Sequence, residues 1–274
     1  MGLVTEKWSI AFRPAQGYTD TKTPYMKAPG NVGGWYADPF LFENGGRLYL
    51  FAEFFSYRTR KGCIAVAEFD RGANRFGHWT EIIHEPFHMS YPLVFADGDG
   101  IYMLPETAEA GQLLLYKAVQ FPYGWERYRV ICDGVSYVDT TPLPQSTDAI
   151  AYELANGAPQ RCLVISLDGS HAPTDISDRR ALNVSRPGGL CVGDIMVAQD
   201  CRETYGGGLK FFNKQFEEIF SIAPKDIAVF GERGAICGVH TYNTAGGIEV
   251  IDYKTMTVSP VRIAHRLVSK VNGK

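Results

Sequence analysis

Four acidic residues spread from position 38 to position 139, Asp38, Glu53, Glu106 and Asp139, are the side chains best suited to joint chemistry. Breaking or forming a glycosidic bond needs one carboxylate as base or nucleophile and a second carboxyl, raised in pKa, as proton donor. Asp38, in Tyr36-Ala-Asp-Pro39, stands just before a proline read as starting a strand, so its side chain can point into a channel. The competing reading is an Asp capping a turn, although such residues more often sit with Gly or Asn. Asp139, in Val138-Asp-Thr-Thr-Pro142, has the same placement and is read either as orienting substrate hydroxyls or as an Asx-turn. Glu106, in Leu104-Pro-Glu-Thr107, and Glu53, after Phe51-Ala52, close two corresponding strands; each is a candidate acid or a solvated strand end.

Other polar residues suit binding. Arg186 in Ser185-Arg-Pro187, and Arg202 after Gln199-Asp200-Cys201, carry forked donors fit for anionic or polyhydroxylated ligands, or for a stabilising ion pair. His240 is read as a sugar or metal ligand or as a structural histidine, which leaves a divalent cation in the channel as the one cofactor to consider. Trp35, Tyr36, Tyr91, Tyr205 and Tyr242 lie beside these motifs and are placed either against sugar rings or in the core. Gln199 and Asp200 join the substrate-binding set.

The elements that must position these residues follow from a repeat. Tyr36-Ala-Asp-Pro39, Ser90-Tyr-Pro92, Asp139-Thr-Thr-Pro142, Ser185-Arg-Pro187 and His240-Thr-Tyr242 recur about fifty residues apart, each opening an apolar strand. One four-stranded blade per repeat predicts an all-β, five-bladed β-propeller over residues 1–274 as a single domain. In such a fold the first strand of each blade lines the central channel, so five distant motifs converge on one pocket. Period-two alternation defines blade one (Asp38–Phe42, Arg47–Phe55, Cys63–Phe69, Trp79–Ile83) and blade two (Pro92–Phe95, Ile101–Pro105, Gln112–Val119, Trp125–Ile131). Blade three runs from Thr141 through Ala149–Leu154 and Arg161–Leu167, with Ser170–Arg180 read as a loop or a short helix. Blade four runs from Pro187 to Ile222. Blade five, from Gly238 through Gly247–Ile251 to Val261–Ala264, is one strand short; the alternating Lys7–Phe12 is expected to complete it and close the ring, and Gln16–Gly34 to form a long loop.

A net charge of −3 and a pI near 6.1 provide no field for nucleic acid or an anionic membrane, and Arg58-Thr-Arg-Lys61 reads as a solvated hairpin tip. No apolar run reaches membrane-spanning length, the N-terminus lacks a signal pattern, and Glu6 stands where a myristoylation motif needs Ser or Thr, so a cytoplasmic location is expected. Six cysteines without a Cys-x-x-Cys pair read as reduced thiols, and Asn183-Val-Ser185 matters only in a secreted chain. Phosphate-loop, zinc-protease and nucleophile-elbow patterns are absent.

At Ala37-Asp-Pro39 and Val138-Asp-Thr-Thr-Pro142 the chain resembles the five-bladed glycoside hydrolases of the arabinanase and β-xylosidase kind. That resemblance implies Asp38 as general base, Asp139 as orienting group and a Glu acid at blade four, where this chain has Ser185-Arg-Pro187. More of the chain resembles the N-terminal propeller domain of glucosamine inositolphosphorylceramide transferases and related bacterial proteins, some joined to formyltransferase-like domains. Trp35-Tyr-Ala-Asp-Pro-Phe40, Phe51-Ala-Glu53, Tyr91-Pro92, Tyr102-Met-Leu-Pro-Glu106, Ala198-Gln-Asp-Cys201, Tyr205-Gly206 and Gly238-Val-His-Thr-Tyr-Asn243 carry it. This second resemblance implies surface-glycan or glycolipid biosynthesis, with sugar transfer belonging to a separate transferase or formyltransferase-like domain. The expectation is a carbohydrate-active protein using inverting acid/base chemistry; a non-catalytic glycan-binding propeller and a nucleotide-sugar glycosyltransferase are the alternatives.

Overall fold

The computed structural model describes residues 4–98, 100–154, 161–177, 185–201 and 203–258. Two strands, β1 (Val4–Pro14) and β2 (Met26–Lys27), come before blade one in sequence but belong to the last blade in space. Blade one is β3 (Gly34–Asn44), β4 (Arg47–Ser56), β5 (Gly62–Asp70) and an outer edge divided between β6 (Arg75–Phe76) and β7 (Thr80–Ile83). Blade two is β8 (Ser90–Asp97), β9 (Gly100–Glu106), β10 (Gln112–Gln120) and β11 (Gly124–Asp133). Blade three is β12 (Tyr137–Pro142), β13 (Asp148–Glu153), β14 (Arg161–Ser166) and the short β15 (Thr174–Asp175). Blade four is β16 (Ser185–Pro187), β17 (Met196–Asp200), β18 (Leu209–Phe212) and β19 (Glu218–Ile222). Blade five has an inner strand split into β20 (Ile236–Gly238) and β21 (Tyr242–Ala245), both paired with β22 (Ile248–Val258), and is completed by β1 and β2. The architecture is the five-bladed propeller predicted from the repeat.

Each blade buries both faces, because its neighbours cover them. In β4 the side chains from Leu48 to Phe54 are all buried, on alternating sides. The apolar core is accordingly five separate clusters, one per blade junction. Phe12, Leu50 and Val250 join blades five and one; Phe51, Leu93 and Met103 join one and two. Leu104 and Leu163 join two and three, Ile150 and Phe212 three and four, and Phe211 and Tyr253 four and five. A fully buried Phe or Leu contributes about 1.5–3 kcal/mol, so each junction is held independently by several such residues.

Three expectations change in detail. The inner strands of blades one and three start before the motif aspartates, at Gly34 and Tyr137, so Asp38 and Asp139 lie inside strands and not at their openings. Of Ser170–Arg180, the described part is a loop carrying β15, with no helix. In blade five the strand after the inner one is the long β22, and the N-terminal strand stands third, with part of the Gln16–Gly34 loop forming the fourth; Val261–Ala264 and Asn183 lie outside the described residues. No helix among the described residues is long and apolar enough to cross a membrane. All six cysteines are free thiols.

The ring closes through eleven antiparallel pairs from Val4↔Val258 to Pro14↔Ile248. One of them, Arg13↔Glu249, carries a buried ion pair from Arg13 Nε to Glu249 Oε1. Glu249 also accepts from Tyr242 Oη at 2.8 Å and from the Gly17 amide at 3.1 Å, and the Arg13 guanidinium lies 4.0 Å from the Tyr25 ring centroid. Removing one partner leaves an uncompensated buried charge, whereas replacing both with apolar residues does not. Glu249→Ala is therefore expected to lose about 3–5 kcal/mol in urea unfolding. The double variant Arg13→Met/Glu249→Leu should recover most of that loss.

Candidate functional site

Asp38, Tyr91 and Asp139 occupy the same position in blades one, two and three, each in the left-handed region with φ of 51°, 49° and 51°. Strand register shifts at the same place in all three, between Ala37 and Phe40, Ser90 and Leu93, and Val138 and Thr141. These are β-bulges that re-aim one side chain per inner strand into the channel. A left-handed non-glycine residue costs on the order of 1–3 kcal/mol, and hydrogen bonds offset it here. Asp252 Oδ2 accepts the Asp38 amide at 3.0 Å, and Asp38 Oδ2 accepts the Tyr91 amide at 3.2 Å. The carboxylate of one blade thus holds the bulge of the next, from blade five to one to two. Tyr91 crosses the channel, its hydroxyl 2.7 Å from Thr141 Oγ1 and accepting the Gly189 amide at 2.7 Å.

A cavity of about 250 Å³ at one end of this channel is lined by Asp38, Glu53, Glu106 and Asp139, together with Arg186 and His240. Trp8, Trp35 and Tyr205 form part of its wall. Asp139 Oδ2 accepts from Arg186 Nε at 2.5 Å and from Gln199 Nε2 at 2.9 Å, and Arg186 Nη2 also approaches Glu106 Oε2 at 3.9 Å. His240 Nδ1 is 2.5 Å from Asp252 Oδ2 and 3.5 Å from Asp38 Oδ1, and its ring stacks on Trp8 at 4.0 Å.

Among the described residues, Asp38, Glu53, Glu106 and Asp139 line the cavity together with Arg186 and His240. Crowding carboxyl groups in a buried site raises their proton affinity. Burial, reinforced by Asp139, pushes Glu106 up to about 8, with Arg186 pulling the other way. Burial and the nearby Asp38 and Glu106 raise Glu53 well above the ordinary carboxyl range. Asp38 is lifted to about 6 by burial, restrained by His240. Burial also raises Asp139, against the pull of Arg186 and His240. For His240 burial opposes the charged form, but Asp252 and Asp38 outweigh it and the net shift is upward. One cavity therefore combines carboxyl groups of different proton affinity, Asp38 lifted to about 6 and Glu106 to about 8.

Glu53 faces a residue that the repeat does not reveal. His88 Nδ1 accepts the Gly62 amide at 2.9 Å, which leaves the ring proton on Nε2, 3.5 Å from Glu53 Oε1. That oxygen has no hydrogen-bond partner and is buried. Burial lowers the His88 pKa, keeping the ring neutral. Only glycine fits at position 62, because a Cβ there would meet Met89 O at 2.4 Å and Glu53 Oε1 at 2.5 Å.

Of the residues singled out from sequence, the cavity gathers Asp38, Glu53, Glu106, Asp139, Trp35, Arg186, Tyr205 and His240. Gln199 stands behind Asp139 and Tyr91 fills the channel, both fully buried. Tyr36 turns into the junction between blades five and one, stacked on Trp79 at 4.3 Å, and Tyr242 into the junction between four and five, its hydroxyl on Glu249. Asp200 faces Lys210 at 3.9 Å, and Arg202 lies outside the described residues. Trp8, His88 and Asp252 were missed; for Asp252 the signal was a lone carboxylate within the apolar run Val250-Ile-Asp-Tyr253. Asp38, His240 and Asp252 bring three ligand atoms within 4.8 Å of one another, a donor set able to hold a cation, although the His240–Asp252 ion pair already balances charge there.

Residues 21–148 match the family model described as the N-terminal region of glucosamine inositolphosphorylceramide transferase 1, a span that includes all four acids first singled out. Among curated proteins the chain is similar to glucosamine inositolphosphorylceramide transferase 1 of Arabidopsis thaliana, 42% identical over 106 residues. That match takes in 37% of this chain and 13% of the Arabidopsis protein. The protein of the same name from Oryza sativa subsp. indica is 38% identical over 130 residues, 46% of this chain and 16% of that protein. The chain thus corresponds to a small fraction of the length of these relatives. In three dimensions it is similar to the catalytic domain of the GH62 α-L-arabinofuranosidase of Coprinopsis cinerea, with a TM-score of 0.54 and 12% identity over 93% of this chain and 98% of that one. The α-L-arabinofuranosidase of Podospora anserina, solved with cellotriose, gives a TM-score of 0.53 at 11% identity over 82% and 93%. These structural likenesses show the propeller fold.

Storing a proton on Glu106 costs stability at high pH. Its folded-state value, about 8, lies above the ordinary value of 4.5, so its favourable contribution is complete below the lower value and lost as pH rises through the upper. Glu106→Gln removes the penalty. Thermal or urea unfolding at pH 9 is expected to show the variant more stable than the parent by on the order of 2–4 kcal/mol, with the difference vanishing near pH 4.

Proposed function

We propose that the channel mouth binds a sugar and acts on a glycosidic bond. The observation that carries this reading is the gathering of Asp38, Glu53, Glu106 and Asp139 in one small cavity, where burial lifts Asp38 to about 6 and Glu106 to about 8 and raises Glu53 well above the ordinary carboxyl range. Asp38 takes a proton from a water or a sugar hydroxyl, which attacks the anomeric carbon; Glu106 or Glu53 protonates the leaving oxygen on the opposite face, giving inversion. Asp139 and Arg186, locked together at 2.5 Å, orient the substrate hydroxyls. Trp8, Trp35 and Tyr205 offer the aromatic surface on which sugar rings stack. The resemblance to transferase N-terminal regions supports a substrate from glycan or glycolipid metabolism and a separate transferase domain as partner.

A second reading, a glycan-binding propeller without turnover, is favoured by Arg186, which occupies blade four where the hydrolase resemblance called for an acid. A diphosphate site for a nucleotide sugar gains little from Arg186, whose donors are engaged by Asp139 and Glu106.

Turnover on a panel of aryl glycosides and oligosaccharides should follow a bell between about pH 6, where Asp38 ionises, and about pH 8, where Glu106 loses its proton. Asp38→Asn is expected to lower kcat by about 10²–10⁴-fold. If Glu53 is the donor, the alkaline limb survives in Glu106→Gln and disappears in Glu53→Gln. Sugar binding by the parent without turnover, undiminished in a Glu53→Gln/Glu106→Gln variant, would replace this proposal with the binding reading.

A further inference from the structure

On the outer edge of blade one, away from the channel, the strand register brings three metal-ligating side chains together. Ile64 pairs with Ile83 but Ala65 pairs with Glu81, so one extra residue enters β7 between them. In a regular strand Glu81 and His84 would point to opposite faces; the extra residue turns both toward Cys63. Cys63 Sγ lies 3.6 Å from Glu81 Oε2, and His84 Nε2 lies 3.3 Å from the same oxygen. All three ligand atoms fall within 4.8 Å of one another.

The sulfur–oxygen and nitrogen–oxygen separations match edges of a tetrahedral zinc site. With metal–ligand distances of about 2.0–2.1 Å to nitrogen, 2.0–2.2 Å to oxygen and 2.3 Å to sulfur, the nitrogen–oxygen edge is about 3.3 Å and the sulfur–oxygen edge about 3.5 Å. Charge fits as well. A thiolate and a carboxylate neutralise a divalent ion, and among the described residues Glu81 forms its ion pair with His84. Cys63 is anchored in the core, while Glu81 and His84 are exposed, so the fourth position opens to water.

We propose that Cys63, Glu81 and His84 form a binding site for zinc or a similar borderline-soft divalent metal. The sulfur excludes magnesium and calcium, which prefer all-oxygen shells. On binding, the thiol proton leaves to solvent and a sulfur–metal bond forms, with no change of oxidation state. The site lies apart from the sugar cavity and stands whether or not that cavity is catalytic.

Cobalt(II) serves as the spectroscopic probe. Titration of the metal-free, reduced protein with cobalt(II) is expected to give one equivalent of a tetrahedral visible spectrum with a thiolate-to-metal charge-transfer band, displaced by zinc(II). Cys63→Ser should abolish the charge-transfer band. His84→Ala, a surface change that leaves the core intact, should weaken cobalt binding by on the order of 10–100-fold or more. A channel site of Asp38, His240 and Asp252 has no thiolate and cannot mimic that band. Absence of the band at saturating cobalt, its persistence in Cys63→Ser, or unchanged affinity in His84→Ala would overturn the assignment.

Discussion

The carboxylate of Asp252 is the constraint on which the channel is built. It is completely buried and collects the amides of Asp38, His240 and Thr241, each at 3.0 Å, together with the His240 ring nitrogen. A buried carboxylate left unpaired would cost several kcal/mol, so these donors hold one another in place through it. Asp252 thereby reconnects the broken inner strand of blade five, β20 and β21, and fastens it to blade one. Asp38, held through its own amide, turns its carboxylate to the Tyr91 amide and the Thr241 hydroxyl. The residue best placed to act as a base is thus also a link in the closure of the ring.

Closure works at two radii. Near the axis it is polar, through Asp252 and Asp38; farther out it is the β1–β22 ladder with its buried Arg13–Glu249 pair. The ladder requires the N-terminal strand to dock on β22, and that strand also delivers Trp8 against His240. Sheet completion and the aromatic wall of the cavity are therefore one structural event. The low-dielectric surroundings that result are what raise the carboxyl groups of Glu53 and Glu106, since burial is the first cause of each shift.

The repeat was legible because each blade is local in sequence and its apolar alternation is visible within fifty residues. Asp38 and Asp139 were legible for the same reason, as polar residues recurring at equivalent places. Their conformation was not. Tyr36 and Asp38, two residues apart, would share a face in a regular strand; the left-handed bulge at Asp38 breaks that parity, sending Tyr36 to the core and the carboxylate to the channel. Tyr242 separates from His240 across the break between β20 and β21 in the same way.

By itself the sequence determined an all-β ring of five blades, the N-terminal strand as its clasp, and carboxylates from blades one, two and three as the candidate reactive groups. Tertiary structure alone decided that Tyr91 is the counterpart of the two aspartates, and that His88 faces Glu53. It alone decided that Arg186 belongs to Asp139 and that Asp252 anchors the whole set. The physical reason is range: alternation and turns are written within one blade. A side chain's proton affinity and partner depend on bulges and on contacts such as Asp38 to Asp252, 214 residues apart, which exist only once the ring has closed.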